Sequence, residues 1–450
     1  MNMSGQMRLQ NPGFLAVWLI FCFSAIACAE TMSLSDCIDF ALEHSRELRK
    51  REIEQTNSRL ATRIKRGKFA YDIKSSVEEG VSGEISGSVT LNKEIVGGVD
   101  VSSVYRNSEE DAGDNFESFS VRISKVILGG GSVRESRLDI DNSLIGQIIS
   151  LNKMEKYKRQ LRSLVQAAYY RVVRNMQTLK VWELRVARAG KNLEHALERE
   201  DPLDIATARI EVPETEASLS TAKREIASSL DSLKELMGMD MEEDLEITGD
   251  FDFSEYEFDL TCDIAFCLEN HEDIINAGLE RKKIENTARV KGSKVWPEVS
   301  LWVKGETEIN PGGSSDLEEE EDDDPDYSGG ISMSWEILSS TARAEHKKLL
   351  NDLKVSDINI RSVRQGKVRE VRDMGGKLRE ALLLVRLQEK KLEHNRRIVE
   401  LYSDRWRNGE IDILEYIRSQ NDMENTRIQL IKQKTTYMEL LGTYLYVTGR

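Results

Sequence analysis

The sequence predicts a mainly α-helical chain with a small β part, built from two copies of one pattern. Three observations predict it. Two stretches of more than sixty residues run without proline and carry apolar residues at three- and four-residue steps. Short runs of strict apolar–polar alternation precede each of them. One stretch near the start recurs 226 residues later, Leu34 falling on Leu260.

The chain has 450 residues, with 39% hydrophobic, 32% charged and a net charge of −16. Only 6 prolines and 29 glycines occur, which favours long helices over an all-β or collagen-like chain. The acidic balance argues against nucleic acid as a partner, because phosphate binding needs a basic face. The one apolar stretch near membrane length lies at the start, which excludes a conventional multi-helix membrane protein.

That stretch, Phe14–Ala29, follows Arg8 and ends in Ala27-Cys28-Ala29, a small-x-small cleavage pattern. Residues 1–29 therefore read as an export signal, with an uncleaved anchor as the alternative. Ala25–Cys28 also partly resembles a lipoprotein cleavage box, which makes Cys28 a lipidation candidate. The remaining cysteines, Cys37, Cys262 and Cys267, read as buried free thiols.

The duplication divides the rest into a first repeat over 30–248 and a second over 249–450. Leu34–Leu48 aligns without a gap on Leu260–Ile274, and Ile38, Phe40, Leu42 and Glu43 meet Ile264, Phe266, Leu268 and Glu269. Further on, Ile123–Leu128 matches Met333–Leu338, and Leu203–Ile205 matches Ile411–Ile413. Each repeat reads helix, strand, strand, long helix, turn, helix.

The strands alternate. Tyr71, Ile73 and Val77 face away from Asp72, Lys74 and Glu78. Phe119, Val121 and Ile123 face away from Ser120, Arg122 and Ser124. Val299–Lys304 and Tyr327–Ile337 repeat the pattern in the second half. Alternation over about ten residues fits a transmembrane barrel strand and an ordinary half-buried sheet equally. Two more alternating runs within Ile85–Tyr105 read as an added hairpin or a lengthened first pair.

The long helices are expected from Ser132 to about Glu200 and from Thr341 to about Arg405. The first would measure roughly 100 Å at 1.5 Å per residue. Returning helices are expected from about Leu203 to Met237, where Pro213 should kink the helix or move its start, and from about Ile411 to Val447.

Four strands cannot close a barrel, and an open sheet edge cannot sit in lipid with its peptide groups unpaired. Three copies would supply twelve strands, so spanning strands imply a closed trimer: a 12-stranded β-barrel joined to an α-helical barrel. No catalytic signature occurs. The five histidines are scattered, no dinucleotide or nucleophile-elbow fingerprint is present, and no metal or cofactor set is indicated.

These segments together resemble the TolC-like outer membrane efflux protein family, the outer membrane factors. Leu34–Leu48 and Leu260–Ile274 look like its opening helix. Phe119–Gly130 looks like its strand-to-helix motif, Arg405–Gln420 like its periplasmic turn, and Tyr437–Gly449 like its closing helix. The resemblance implies an outer membrane duct of a tripartite efflux or type I secretion system. Helices would reach into the periplasm, docking to a periplasmic adaptor protein and an inner-membrane transporter that supplies the energy. It implies gate residues just after the turn, which here are Glu415 and Arg418. Arg418 departs from the family's acid, and a local Glu415–Arg418 ion pair is the alternative. It also implies turn or adaptor contacts at Arg405, Asn408, Gly409, Asp201 and Pro202. Asp204 and Asp412 read as caps or flanks of the returning helices. An exported coiled-coil adaptor or scaffold is the alternative function. The cargo is not readable. Asp316–Asp326, with nine acids in eleven residues, reads as a solvated loop between strands.

Overall fold

The structure is a computed structural model. It describes residues 31–79, 85–95, 99–109, 115–128, 131–249, 253–257, 259–293, 296–309, 325–335 and 340–450. The predicted export signal with Cys28, and acidic residues 316–324, lie outside the described residues.

The helices repeat in length as well as in order. The first half has α1 (Leu34–His44), α2 (Arg46–Gly67), α3 (Gly131–Arg199) and α4 (Pro202–Met237), of 11, 22, 69 and 36 residues. The second has α5 (Leu260–Asn270), α6 (Glu272–Ser293), α7 (Ser340–Arg407) and α8 (Ile413–Thr448), of 11, 22, 68 and 36 residues. The caps also recur at the 226-residue offset. Ser33 caps α1 in a capping box with Asp36, and Asp259 caps α5 through the Thr261 N–H. At the far ends the N–H of Ser45 donates to Ala41, and that of His271 to Cys267. Pro213 lies inside α4, which starts at Pro202 and runs on through it. A proline at the first helical position costs no hydrogen bond, so Pro202 sets that start.

The described chain forms two compact units, and each draws on both repeats. One comprises Glu47–Lys158, Asp259–Asp373 and Val447–Arg450. It holds all six strands: β1 (Tyr71–Glu79), β2 (Ile85–Ile95), β3 (Val99–Glu109), β4 (Asn115–Leu128), β5 (Glu298–Ile309) and β6 (Asp326–Ser334). They form one antiparallel sheet in the order β1-β2-β3-β4-β5-β6. The β4–β5 pair joins the two repeats, with Ile123 opposite Val303. Beneath the sheet, Asp273 of α6 accepts from Lys156 of α3 at 2.7 Å and meets Lys367 of α7 at 3.3 Å.

The sheet corrects one expectation. Among the described residues it contains six strands rather than four, and of the two readings of Ile85–Tyr105 the added hairpin is the one observed. The runs within Ile85–Tyr105 form β2 and β3, which sit between β1 and β4 instead of lengthening either. Alternation fixes which face each run presents but not which neighbour it takes. Glycines at 83, 87, 97 and 98 broke those runs into pieces too short to place.

The register carries one apolar face across the whole sheet. Ile73 lies opposite Leu91, Tyr105 opposite Phe119, and Val303 opposite Gly329. That face is bare within this chain: Tyr327 is 78% exposed, Val77 77% and Ile331 72%. A half-buried sheet would have packed these side chains inward. Monomeric soluble proteins rarely leave so large an apolar area uncovered. The opposite face is polar, with Ser76 and Ser88 hydroxyls 2.8 Å apart and Ser300 and Ser332 hydroxyls 2.6 Å apart. Exposed aromatics mark both ends of β6, Tyr327 at one and Trp335 beyond the other. Lys93 sits on the apolar face near the helix end, its ammonium 3.7 Å from the Tyr71 ring centroid. Aromatics and snorkelling lysines in those places suit the two borders of a bilayer. Among the described residues, no helix is long and apolar enough to cross a membrane.

The other unit comprises the described residues up to Arg46, Arg159–Phe258 and Met374–Tyr446. Here α4 ends in a Schellman motif. The N–H of Gly238 donates to Glu235 and that of Met239 to Lys234. Gly238 has φ +78°, and an added Cβ would lie 2.5 Å from the His44 carbonyl oxygen, so only glycine fits. All three described cysteines are free. Cys37 and Cys267 are buried as expected, whereas Cys262 is exposed on the first turn of α5. Burial pushes the Cys37 thiol up to about 12.

Candidate functional site at the two helical turns

Two turns close the long helices of the second unit. The α3–α4 turn has no glycine. Glu200 takes a left-handed φ of 58° instead, a conformation that costs a non-glycine residue about 1 kcal/mol or more. Asp201 then caps α4, its carboxylate accepting from the Leu203 N–H at 2.9 Å, and Pro202 opens the helix. The α7–α8 turn is a second Schellman motif, with Gly409 at φ +76°. The N–H of Gly409 donates to Trp406 and that of Glu410 to Arg405. The Arg405 guanidinium pairs with Glu410 at 3.3 Å.

An apolar cluster of Ala196, Ala208, Trp406, Ile413 and Ile417 locks the turns together. Trp406 is its centre. Its ring stacks on Tyr416 with centroids 5.2 Å apart, and the Arg199 guanidinium lies 4.7 Å from its own centroid. Arg199 also donates to the Trp406 carbonyl at 2.8 Å, the acceptor that the Gly409 N–H already uses, and so ties α3 to the end of α7.

The predicted site residues surround this cluster without entering it. Arg405, Asn408, Gly409, Asp201 and Pro202 are all exposed on the two turns. Glu415 and Arg418 are exposed on the first turns of α8, and no ion pair joins them among the described residues. Asp204 does not cap its own helix. It is buried and accepts from the Ile413 N–H, so it closes the N-terminus of α8 from α4.

Burial, and next the negative charge of Asp201, raise the Asp204 carboxyl above its ordinary value. The Ile413 N–H and the charge of Arg199 pull the other way. A raised folded value means that the folded state takes up this proton more readily than the unfolded one. Asp204 therefore opposes folding when ionised, and that opposition fades as pH falls through the folded value. Asp204→Asn keeps an acceptor for Ile413 and removes the charge. It should flatten the pH dependence of the thermal midpoint just above the ordinary carboxylate range. An unchanged slope would show that Asp204 is not the group responsible.

A second polar layer lies farther from the turns. Arg188 of α3 meets Glu424 of α8 at 2.6 Å and Glu211 of α4 at 3.3 Å, and donates to Asn421 at 2.7 Å. Asn192 donates to Gln420 at 3.2 Å. Glu211 and Glu424 are both buried. Burial pushes the Glu424 carboxyl up, against the pull of Arg188 and Arg185. Sequence reading missed this layer because its members come from three helices and form no motif. Trp406 stood inside the Arg405–Gln420 motif, and an aromatic in the last turn of a helix was its only signal.

The chain thus pairs two long helical hairpins with a strip of sheet that is bare and apolar on one face and open at both edges. Residues 265–439 match the family model described as outer membrane efflux protein. Among curated proteins, no sequence matches the chain. Solved structures share the fold across its length. The outer membrane protein VceC of Vibrio cholerae aligns at 12% identity with TM-score 0.70, over 92% of this chain and 96% of that one. The CmeC outer membrane channel of Campylobacter jejuni aligns at 14% and 0.69, over 92% and 85%. The open state of the MtrE outer membrane channel of Neisseria gonorrhoeae aligns at 14% and 0.69, over 92% and 88%.

Proposed function

We propose that the protein is the outer membrane duct of a tripartite efflux or type I secretion system. One observation carries the reading. Six described strands form one antiparallel sheet with one bare apolar face and two open edges, and residues 265–439 match the outer membrane efflux protein family model. Open edges in lipid leave peptide groups unpaired at several kcal/mol each, so the sheet needs further copies of itself. A homotrimer is the smallest ring in keeping with the family resemblance.

In this reading the chain is a passive conduit rather than an enzyme, and an inner-membrane transporter supplies the energy. The exposed turn residues Arg405, Asn408, Gly409, Asp201 and Pro202 offer the contact surface for a periplasmic adaptor. Their backbone is held by two caps and one aromatic cluster, which presents a fixed shape without prior ordering. Glu415 and Arg418 stand beside the turns as gate residues, free of each other and therefore available to ions in the lumen.

Outer membrane fractionation followed by unheated SDS electrophoresis tests the main reading. The expected result is a carbonate-resistant, SDS-resistant trimer. A carbonate-soluble monomer would support the scaffold alternative instead. The gate assignment has its own test in planar bilayers. Glu415→Ala should lower cation selectivity or shift single-channel conductance, because it removes one negative charge per protomer from the proposed gate. Identical conduction would remove Glu415 from the gate.

A further inference from the structure

The hairpin Ile85–Glu109 has no role in the duct reading as it stands. Its place in the sheet gives it one. β2 and β3 do not lie along an edge, since each is hydrogen-bonded on both sides. β1 reaches β4 only through them.

The hairpin also continues both faces, with Lys93 and Ser103 as polar residues within the apolar one. Val89 and Leu91 of β2 and Val101 and Tyr105 of β3 fall on the apolar face with Ile73 and Ile123. Ser88 and Arg106 fall on the polar face, in one file with Ser76 and Ser118. Each hairpin strand has 11 residues, against 9 for β1 and for β6. A tilted strand needs about 9–11 residues to cross the apolar layer. A loop lying outside the membrane would need neither the length nor the matching alternation.

Among the described strands, only β1 and β6 keep a free edge. With six alternating strands, β6 of one copy runs antiparallel to β1 of the next, so copies close into a ring without a parallel seam. The occupant of each free edge is thus a second copy of this chain.

We propose that the assembled trimer closes an eighteen-stranded barrel, six strands from each copy, and that the Ile85–Glu109 hairpin is the insert that widens it. This rests on the trimeric duct reading above and adds the width of its membrane part. Barrel diameter grows nearly linearly with strand number, so eighteen strands give a ring about 1.5 times as wide as twelve. Barrels of sixteen to eighteen strands hold an open aqueous channel.

Electron microscopy of the purified full-length protein in lipid nanodiscs reads the width directly. With strands about 4.8 Å apart and tilted by about 40–45°, opposite backbones should stand about 38 Å apart, against about 25 Å for twelve strands. A variant lacking Ile85–Glu109 provides the comparison. The register places Tyr71 and Ile123 in one file, so β1 and β4 can pair directly with their faces preserved. Its ring should shrink by about a third and remain trimeric. A full-length trimer already at the narrow width would overturn the proposal and leave the duct reading intact. A full-length protein with no trimer in the outer membrane would overturn both.

Discussion

Arg188→Ala should be among the most destabilising single substitutions in the helical unit, costing about 3–5 kcal/mol. The reason is the company Arg188 keeps. Its guanidinium meets two buried carboxylates, Glu424 at 2.6 Å and Glu211 at 3.3 Å, which belong to different repeats. Removing it leaves both acids out of water with one weaker partner, Arg185, at 3.7 Å from Glu424. Uncompensated buried charge costs far more than a lost surface pair, whose usual worth is about 0–1 kcal/mol. The unfolding midpoint of the detergent-solubilised protein should fall accordingly. Arg188→Ala combined with Glu211→Gln and Glu424→Gln should recover much of the loss, because no charge is then stranded. Arg397→Ala, which breaks an exposed pair with Glu393 on α7, should change the midpoint little. If the single Arg188 substitution proves as mild as Arg397→Ala, the layer is not what holds the repeats together at the turns.

Ile123→Arg is the second large effect. Ile123 lies on β4 within the apolar face, with Val101 on one side and Val303 on the other. In lipid, arginine near the bilayer midplane of a barrel costs about 2–4 kcal/mol, and less toward the borders. A trimer would bear that cost three times. The amount of SDS-resistant trimer recovered from outer membranes should drop sharply. Ser124→Arg, one residue along, points to the polar face with Asp100 and Trp302 in its file and should assemble normally. Equal damage from both would show that the strand is not two-faced in its membrane setting.

How legible this was depends on where each signal sits in the chain. The long helices announced themselves through dozens of evenly stepped apolar residues, and their ends came within a few residues of the observed ones. The duplication was legible because it needed only comparison of the chain with itself. It extends down to caps such as Ser33 and Asp259. The strand count was not legible. Ile85–Tyr105 alternates like its neighbours, but strand order depends on hydrogen bonds between distant segments. The turns were half legible. Gly409 and Pro202 are local signals, since a left-handed φ and a first helical position favour those residues. Glu200 in a left-handed conformation gave no such signal. Asp204 capping a helix from the other repeat depends on packing around Trp406, which no spacing rule encodes.

Everything rests on neighbouring copies meeting along their free strand edges inside the membrane. Disulfide scanning tests that directly. With Cys37, Cys262 and Cys267 replaced by serine, one cysteine is fixed at Ser75 on β1 and a second is moved along Tyr327–Met333 on β6. The account predicts covalent dimers and trimers for a narrow set of positions when intact outer membranes are oxidised, and no such position-specific bonds when the protein is unfolded in urea before oxidation. Failure to cross-link at every position, with all the cysteines open to a water-soluble maleimide, would contradict it.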